Sequence, residues 1–249
     1  MECASKNGIV VIAPLNANAV SVAELAVGLV VAVARKIPMS DRASKGGVWD
    51  RKAGTGIELD GKTLAICGLG RIGRLVGIRA KAFGMKLCVY DPFIKEGSPA
   101  LFGLDAILCE KLHDALGMAD FVTVHSPLKP DTKHMFNAAA FAAMKRGAFF
   151  VNTSRGGVMD EAALLSALKG GHLGGAALDV REIEPPKTGS EFERMDNVIL
   201  TPHVGAFTVE AQARTFEAVC DDLDRLLRGE AAVNFVNFAS PKGRQACDQ

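Results

Sequence analysis

Three segments hold side chains that could act together on one small molecule. Asn152-Thr153-Ser154-Arg155-Gly156-Gly157 supplies a guanidinium, Asp179-Val180-Arg181-Glu182-Ile183-Glu184-Pro185-Pro186 a carboxylate, and Thr201-Pro202-His203-Val204-Gly205 an imidazole. Each follows a short apolar run, so each group stands at the end of a predicted strand. Arg155 can grip a carboxylate with paired hydrogen bonds and polarise a carbonyl beside it. His203 can carry the proton of an alcohol, and Glu184 can hold that imidazole in place and favour its charged form. Such a trio suits removal of a proton from a hydroxyl and of a hydride from the carbon that bears it, next to a carboxylate. Taken singly the groups say less: an arginine at a strand end can be a structural partner, a lone histidine is more often packed or solvated, and acid-proline pairs are common in loops.

A hydride needs an acceptor, and the residues upstream offer a place for one. Thr63-Leu64-Ala65-Ile66-Cys67 reads as a buried strand that runs into Gly68-Leu69-Gly70-Arg71-Ile72-Gly73 and then a helix from about Arg74 to Phe83. In a strand, turn and helix of this kind, Gly68 permits the tight turn and Gly70 lets the backbone approach a pyrophosphate. Gly73 lets the helix pack close to the strand, and the helix N-terminus offers free N–H groups to the phosphates. A second strand, Lys86 to Tyr90, ends at Asp91, about twenty residues after the glycines. There a carboxylate accepts both ribose hydroxyls and repels the extra phosphate of NADP, so the expected cofactor is NAD. Without that context Asp91-Pro92 would read as a turn.

The elements that must position these groups alternate along the chain. After a helix from about Ala19 to Arg35 and a linker come the strands and helices of the glycine loop. Then follow a helix over Leu112–Met118, a strand over Phe121–Val124, a helix over Phe136–Lys145 and a strand over Gly147–Val151. A helix with Asp160 and Glu161 in its first turn, strands over Gly174–Leu178 and Asn197–Leu200, and a closing helix over Val209–Leu227 complete the order. This alternation predicts an α/β fold, a doubly wound parallel sheet covered on both faces. Ligand-binding groups then gather at the carboxyl ends of the strands, where Asp91, Ser126, Arg155, Asp179 and His203 fall.

Composition excludes several other classes. A chain of 249 residues, 49% of them hydrophobic, can bury a large core, and a net charge of +1 gives no long-range attraction to nucleic acid or an anionic membrane. The six cysteines have no metal-ligand spacing and read as reduced thiols of a cytoplasmic protein; no metal is expected. The start of the sequence lacks the basic and apolar regions of a signal peptide, and the apolar run Leu25–Ala34 is too short to span a bilayer. The helix that contains it is apolar on nearly every side, so it must be covered all round. Its cover could be intramolecular or a second subunit. His113, His134 and His172 read as solvated.

With these residues in view the chain resembles the D-2-hydroxyacid dehydrogenase family, nearly unbroken from Gly8 to about Asn237. The resemblance is most specific at Ser21-Val22-Ala23-Glu24-Leu25, Gly61-Lys62-Thr63-Leu64, His125-Ser126-Pro127-Leu128, the Arg155 segment, Glu184-Pro185 and Thr201-Pro202-His203. Trp49-Asp50-Arg51-Lys52 with Gly56-Ile57-Glu58-Leu59 resembles the branch that acts on 3-phosphoglycerate. The resemblance implies a Rossmann NAD-binding domain and oxidation of a small 2-hydroxy acid, in that branch 3-phosphoglycerate to 3-phosphohydroxypyruvate in serine biosynthesis. It implies Arg155, Glu184 and His203 as catalytic, with His203 the acid/base. For NAD it implies Arg71 and Ile72 at the pyrophosphate, Asp91 at the adenosine ribose, Ser126 and Pro127 along the adenosine, Thr153 and Ser154 beside Arg155, and Asp179 at the nicotinamide end. The loop His203, Val204, Gly205 and Ala206 closes over that end, and His125 shapes the loop near the adenosine. It also implies a homodimer built on the Ala19–Arg35 helix and the Trp49 arm, whose Arg51 and Lys52 could reach a substrate phosphate in the other subunit. Arg181 departs from the pattern, standing where an aromatic is common.

By the same resemblance residues 1–17 are a remnant of a substrate domain, with Lys6–Val11 as its last strand, residues 18–237 are the NAD-binding domain with its dimerisation helix and arm, and residues 238–249 are a polar tail. Roughly eighty to a hundred residues of that substrate domain, including a loop that grips the substrate carboxylate, are not encoded in the sequence. The chain by itself is therefore expected to bind NAD yet turn substrate over weakly. Two other readings stay open: a different 2-hydroxy acid such as glycerate, lactate or glyoxylate on the same machinery, and a nucleotide-sensing module of the corepressor type.

Overall fold

The structure, a computed structural model, describes residues 1–14 and 16–238. The described chain forms two compact units, one of residues 1–21 with 206 onward and one of residues 22–205. This division differs from the expected boundaries at 17 and 237, because the closing helix groups with the N-terminal residues. The tail expected over 238–249 lies, after Phe238, outside the described residues, as does Cys247.

The larger unit is built on seven short strands: β1 (Thr63–Cys67), β2 (Lys86–Tyr90), β3 (Ile107–Cys109), β4 (Phe121–Val124), β5 (Phe149–Asn152), β6 (Gly175–Leu178) and β7 (Val198–Leu200). All pair in parallel, in the order β3-β2-β1-β4-β5-β6-β7. Parallel strands covered on both faces are apolar at successive positions, and their side chains divide between two cores. Ala65, Cys67, Val122, Val124, Phe150 and Leu178 point to one side, where they meet α5 (Leu112–Met118), α6 (Ala138–Ala143) and α7 (Glu161–Lys169). Leu64, Ile66, Leu87, Val89, Phe121 and Val151 point to the other, where they meet α2 (Ala19–Ala34) and α4 (Arg71–Ala82). On the first side Phe136 and Phe141 pack edge-on to Phe150, with ring centres 5.0 and 5.2 Å away.

Several boundaries move, for physical reasons. The helix after the glycine loop starts at Arg71, three residues earlier than expected, because Gly70 itself is the N-cap. The helix expected over Phe136–Lys145 shortens to α6, since the Asn137 side chain caps it by accepting the N–H groups of Ala139 and Ala140. The stretch after Ala34, expected as a linker, contains α3 (Ile37–Lys45), with Pro38 in its first turn. Strand β3 was not expected at all. Its three residues lie at the sheet edge, with too short an apolar run to register in the sequence.

In the smaller unit α1 (Glu2–Lys6) precedes an extended segment, and α8 (Val209–Leu227) follows Thr208, whose side chain caps it by accepting the Ala211 N–H. The strand expected over Lys6–Val11 does not form: Lys6 ends α1, and pairing is limited to a single antiparallel bridge between Ile12 and Phe235. Buried Asp222 of α8 accepts the N–H groups of Val233 and Asn234 and the Asn234 side-chain amide, which ties the returning chain to the helix. Among the described residues no helix is long and apolar enough to cross a membrane.

Candidate active site

The strand order reverses between β1 and β4: from β1 the chain continues to β2 on one side and from β4 to β5 on the other, which opens a crevice at the carboxyl ends of the two strands. Gly68 turns out of β1 with a φ of 99°, and a Cβ there would sit 2.9 Å from the His125 carbonyl carbon. At Gly73 a Cβ would fall 2.1 Å from the Gly68 carbonyl oxygen, so only glycine lets α4 start this close to the turn. Nothing lies within 4 Å of a Cβ at Gly70, where the backbone faces open space in front of the α4 N-terminus. Arg71 is exposed and Ile72 half-buried in that first turn.

Asp91 follows β2 and is joined to the same loop. Its Oδ2 accepts the Leu69 N–H at 2.8 Å and its Oδ1 the Phe93 N–H at 2.9 Å. Across the crevice the Ser126 hydroxyl donates to the Cys67 carbonyl at 3.2 Å. Gly68, Asp91, Ser126 and Pro127 line one cavity of about 180 Å3, which Phe93 and Lys129 border. His125 also lines it; its Nε2 meets the Thr123 hydroxyl at 3.0 Å, and its Nδ1 is buried without a partner. Burial pushes its pKa down to about 3, which leaves it neutral and unsuited to carry a proton.

Farther along the sheet the expected trio follows β5, β6 and β7. His203 adopts a φ of 54°, and its N–H donates to the Asp179 and Thr201 carbonyls at 2.8 and 3.0 Å. The ring thus turned places Nδ1 2.6 Å from Glu184 Oε2. Burial would push the Glu184 carboxyl up, but the hydrogen bonds from His203 and from the Arg181 N–H, with the charges of His203 and Arg155, hold it below the usual carboxylate range. Arg155 is exposed, with one Nη1 bond to the Ser154 carbonyl at 2.7 Å. A cavity of about 410 Å3 adjoins the pair, walled by Leu178, Leu200, Pro186 and Pro202 as well as by His203 and Glu184.

The remaining expected residues support these three. Buried Ser154 donates both its N–H and its hydroxyl to Asn152 Oδ1 at 2.9 Å, while Thr153 Oγ1 is buried without a partner. Asp179 is buried, and both its oxygens are occupied: Oδ1 accepts the Thr201 hydroxyl at 2.6 Å and the Val204 N–H at 2.9 Å, and Oδ2 accepts the Gly205 N–H at 2.9 Å. It therefore anchors the loop that carries His203. Ala206 begins the other unit, where its carbonyl accepts from Gln212.

Sequence reasoning missed Asn152 and Thr201 as the groups that fix these loops, although both stand in the segments that drew attention. His172, expected to be solvated, is half-buried and bonded to the Met144 carbonyl at 3.0 Å, and His134 pairs with Glu182. Arg51 and Lys52 are not brought to the trio within the chain. Their turn is held by Asp50 and lies beside Lys36, whose ammonium donates to the Ala53 carbonyl at 3.3 Å; Lys36 in turn lines a cavity with Gly174 and Asn197, which precede β6 and β7 at the amino end of the sheet.

Residues 27–205 match the family model described as D-isomer specific 2-hydroxyacid dehydrogenase, NAD binding domain. The chain belongs to this family. It is 47% identical over 238 residues to a D-3-phosphoglycerate dehydrogenase of Methanocaldococcus jannaschii, covering 96% of this chain and 45% of that protein. It is 44% identical over 237 residues to the enzyme of the same name from Rattus norvegicus, covering 95% and 44%. The solved D-lactate dehydrogenase of Aquifex aeolicus, complexed with NAD and lactic acid, superposes with a TM-score of 0.84 at 29% identity over 96% of this chain and 76% of its own. The chain thus spans less than half the length of the curated relatives it matches. Its parallel sheet is the α/β Rossmann arrangement read from the sequence, and the matched domain is one that binds NAD.

Proposed function

We propose that this chain carries the cofactor-binding and acid/base machinery of an NAD-dependent dehydrogenase for a D-2-hydroxy acid, with 3-phosphoglycerate as its substrate. The 2.6 Å contact between His203 and Glu184, with Arg155 close enough to act on the same carboxylate, carries this reading. The 47% and 44% identities to D-3-phosphoglycerate dehydrogenases support the choice of substrate.

The residues present suit NAD. The open space at Gly70 admits a pyrophosphate in front of the α4 N-terminus, with Arg71 and Ile72 beside it, and the orphaned Thr153 hydroxyl offers a buried group to the nicotinamide end. Gly68, Gly73, Asp91, Ser126 and Pro127 frame the adenosine side; Ser154, Asp179 and the loop of Val204 and Gly205 frame the other. When bound, NAD supplies the hydride acceptor. Arg155 holds the substrate carboxylate and the oxygen on the neighbouring carbon. With Nδ1 committed to Glu184, Nε2 is the atom of His203 that takes the hydroxyl proton, and Glu184 balances the charge that the ring acquires. In the reverse direction the protonated ring returns that proton to a 2-keto acid.

The partner is a second copy of the chain. Trp49, Val48 and Ile37 are exposed, Trp49 to 81%, and Val20, Glu24 and Gly28 leave one face of α2 uncovered. A copy docked there would cover this face and could carry Arg51 and Lys52 to a substrate phosphate. The cysteine pattern and the near-neutral charge support a cytoplasmic protein without nucleic-acid or membrane partners. NADH formation over a panel of 2-hydroxy acids tests the reading. It should be fastest with 3-phosphoglycerate; faster turnover of lactate or glycerate, or a His203→Ala variant as active as the parent, overturns it.

A further inference from the structure

The segment between β6 and the cis Glu184–Pro185 bond has no regular secondary structure, yet it holds the Glu184 carboxylate 2.6 Å from His203. Its hold comes from a different element. Glu161, the first residue of α7, accepts Arg181 Nε on Oε1 at 2.8 Å and Arg181 Nη2 on Oε2 at 2.9 Å. The same Oε1 accepts the Glu182 N–H at 2.8 Å, so one carboxylate grips both the side chain and the next peptide. The pair is well shielded, with the Arg181 side chain 11% and the Glu161 side chain 19% exposed. The guanidinium lies over the Phe192 ring at 5.1 Å, and Nη2 reaches the Ser190 hydroxyl at 3.3 Å.

On its main-chain side Arg181 faces the proton-carrying pair. Its N–H donates to Glu184 Oε1 at 2.9 Å, while Glu184 Oε2 meets His203 at 2.6 Å. The two oxygens of Glu184 are thereby spoken for, one by Arg181 and one by the imidazole. The Arg181 carbonyl also packs on Gly156, where a Cβ would fall 1.9 Å from it, and Gly156 is the residue after Arg155. A forked, shielded arginine–carboxylate pair is the strongest polar clamp available to a loop of this kind.

We propose that Arg181, clamped by Glu161, is a positioning residue that aims Glu184 at His203. This rests on the reading of His203 and Glu184 as the acid/base pair. An aromatic at position 181 could fill the space over Phe192 but could not bind Glu161. In this chain an ion pair therefore does work that would otherwise fall to packing. The charged groups around the clamp and its target are Glu161 and Glu193 about Arg181, and His203 and Arg155 about Glu184. Burial works against the Glu161 carboxylate, but the Arg181 and Glu182 bonds hold it below the usual range, so the clamp stays charged through neutral pH.

The test compares Arg181→Leu, Glu161→Gln and Arg181→Lys with Glu184→Gln and the parent. Side-chain carboxyl NMR follows the titration of Glu184, and kcat, KM and their pH profiles are measured alongside. Leucine at 181 keeps apolar cover on Phe192, and glutamine at 161 keeps an acceptor for the Glu182 N–H, so the second variant serves if the first does not fold. The expected result is a Glu184 titration displaced upward in Arg181→Leu and Glu161→Gln, partly restored in Arg181→Lys. The acid limb of kcat for reduction of the 2-keto acid should move the same way, and kcat should fall by up to about 100-fold as the pair is misaligned, with the KM for NADH unchanged. Variants that melt earlier but keep the parent's Glu184 titration and pH profile would show a clamp that is only structural. If Glu184→Gln itself leaves turnover and its pH profile as in the parent, the acid/base reading fails as well, and the positioning role with it.

Discussion

Glu184 and His203 lie nineteen positions apart and follow different strands, yet their side chains meet at 2.6 Å. The meeting depends on β6 and β7 lying side by side in parallel, with Leu178 opposite Leu200, so that the loops after them leave the sheet at the same end. His203→Ala should lower kcat by about 10²–10⁴-fold, the usual worth of a positioned acid/base. The dissociation constant for NAD should stay near that of the parent, because in the proposed mechanism the imidazole acts on the substrate proton. Isothermal titration and steady-state kinetics on one preparation would check both halves.

The pH dependence follows from Glu184. Its carboxyl is held below the usual carboxylate range, so the negative partner of His203 is present above that lowered value and is lost as the pH falls through it. Reduction of the 2-keto acid, which uses the protonated ring, should therefore persist below the ordinary glutamate range, near pH 4.3, before its acid limb sets in. An acid limb of the reduction that begins well above that value would contradict this assignment.

In the proposed reading Asp91 decides the choice between nucleotides. Its carboxylate is fixed by the Leu69 and Phe93 N–H groups and cannot swing away from a 2′-phosphate. NAD should raise the melting temperature far more than NADP at equal concentration, and Asp91→Ala should narrow that gap. Equal shifts with both nucleotides in the parent would refute the assignment.

Much of this arrangement was legible in the sequence because its signals are local. The glycine spacing, the apolar runs of β1, β2 and β4 and the extent of the closing helix over Val209–Leu227 each follow from a few adjacent residues. The sheet edge was not legible, since Ile107–Cys109 is too short to show a pattern and pairs only with β2. Nor were the supporting contacts. Asp179 looks from its position like a ligand group, and only the folded loop shows its oxygens taken by Thr201, Val204 and Gly205. Arg181 read as a departure from pattern, and its partner Glu161 lies on a helix whose pairing with that loop no spacing rule gives.

Assembly can be tested at the uncovered arm. Trp49 is 81% exposed, and a tryptophan left in water beside exposed Val48 forms an apolar patch that a second copy would bury. Val27, at the centre of α2, is half-buried against the chain's own core and would confuse folding with assembly. Trp49→Glu should turn a dimer into a monomer in light scattering while leaving the melting profile nearly unchanged. A parent that is already monomeric at micromolar concentration would remove the dimer from the proposal.

Asp222 offers a stability test independent of the active site. Burial alone would push its carboxyl up, but the Val233 N–H, the Asn234 side-chain amide and the Asn234 N–H outweigh it, aided by the charge of Arg225, and hold it below the usual range. A carboxyl with a lowered folded pKa stabilises the fold fully above its unfolded value, near 3.9, and loses that contribution as the pH falls through the folded value. Asp222→Ala would leave two backbone N–H groups without their acceptor and should cost roughly 1–3 kcal/mol at neutral pH. In urea denaturation the gap between parent and variant should be widest near pH 7 and should shrink once the solution is acidic enough to protonate Asp222 in the folded chain. A gap that stays constant down to that acidity would mean that the carboxylate charge contributes nothing, and that the hydrogen bonds to Val233 and Asn234 serve equally well from a neutral acid.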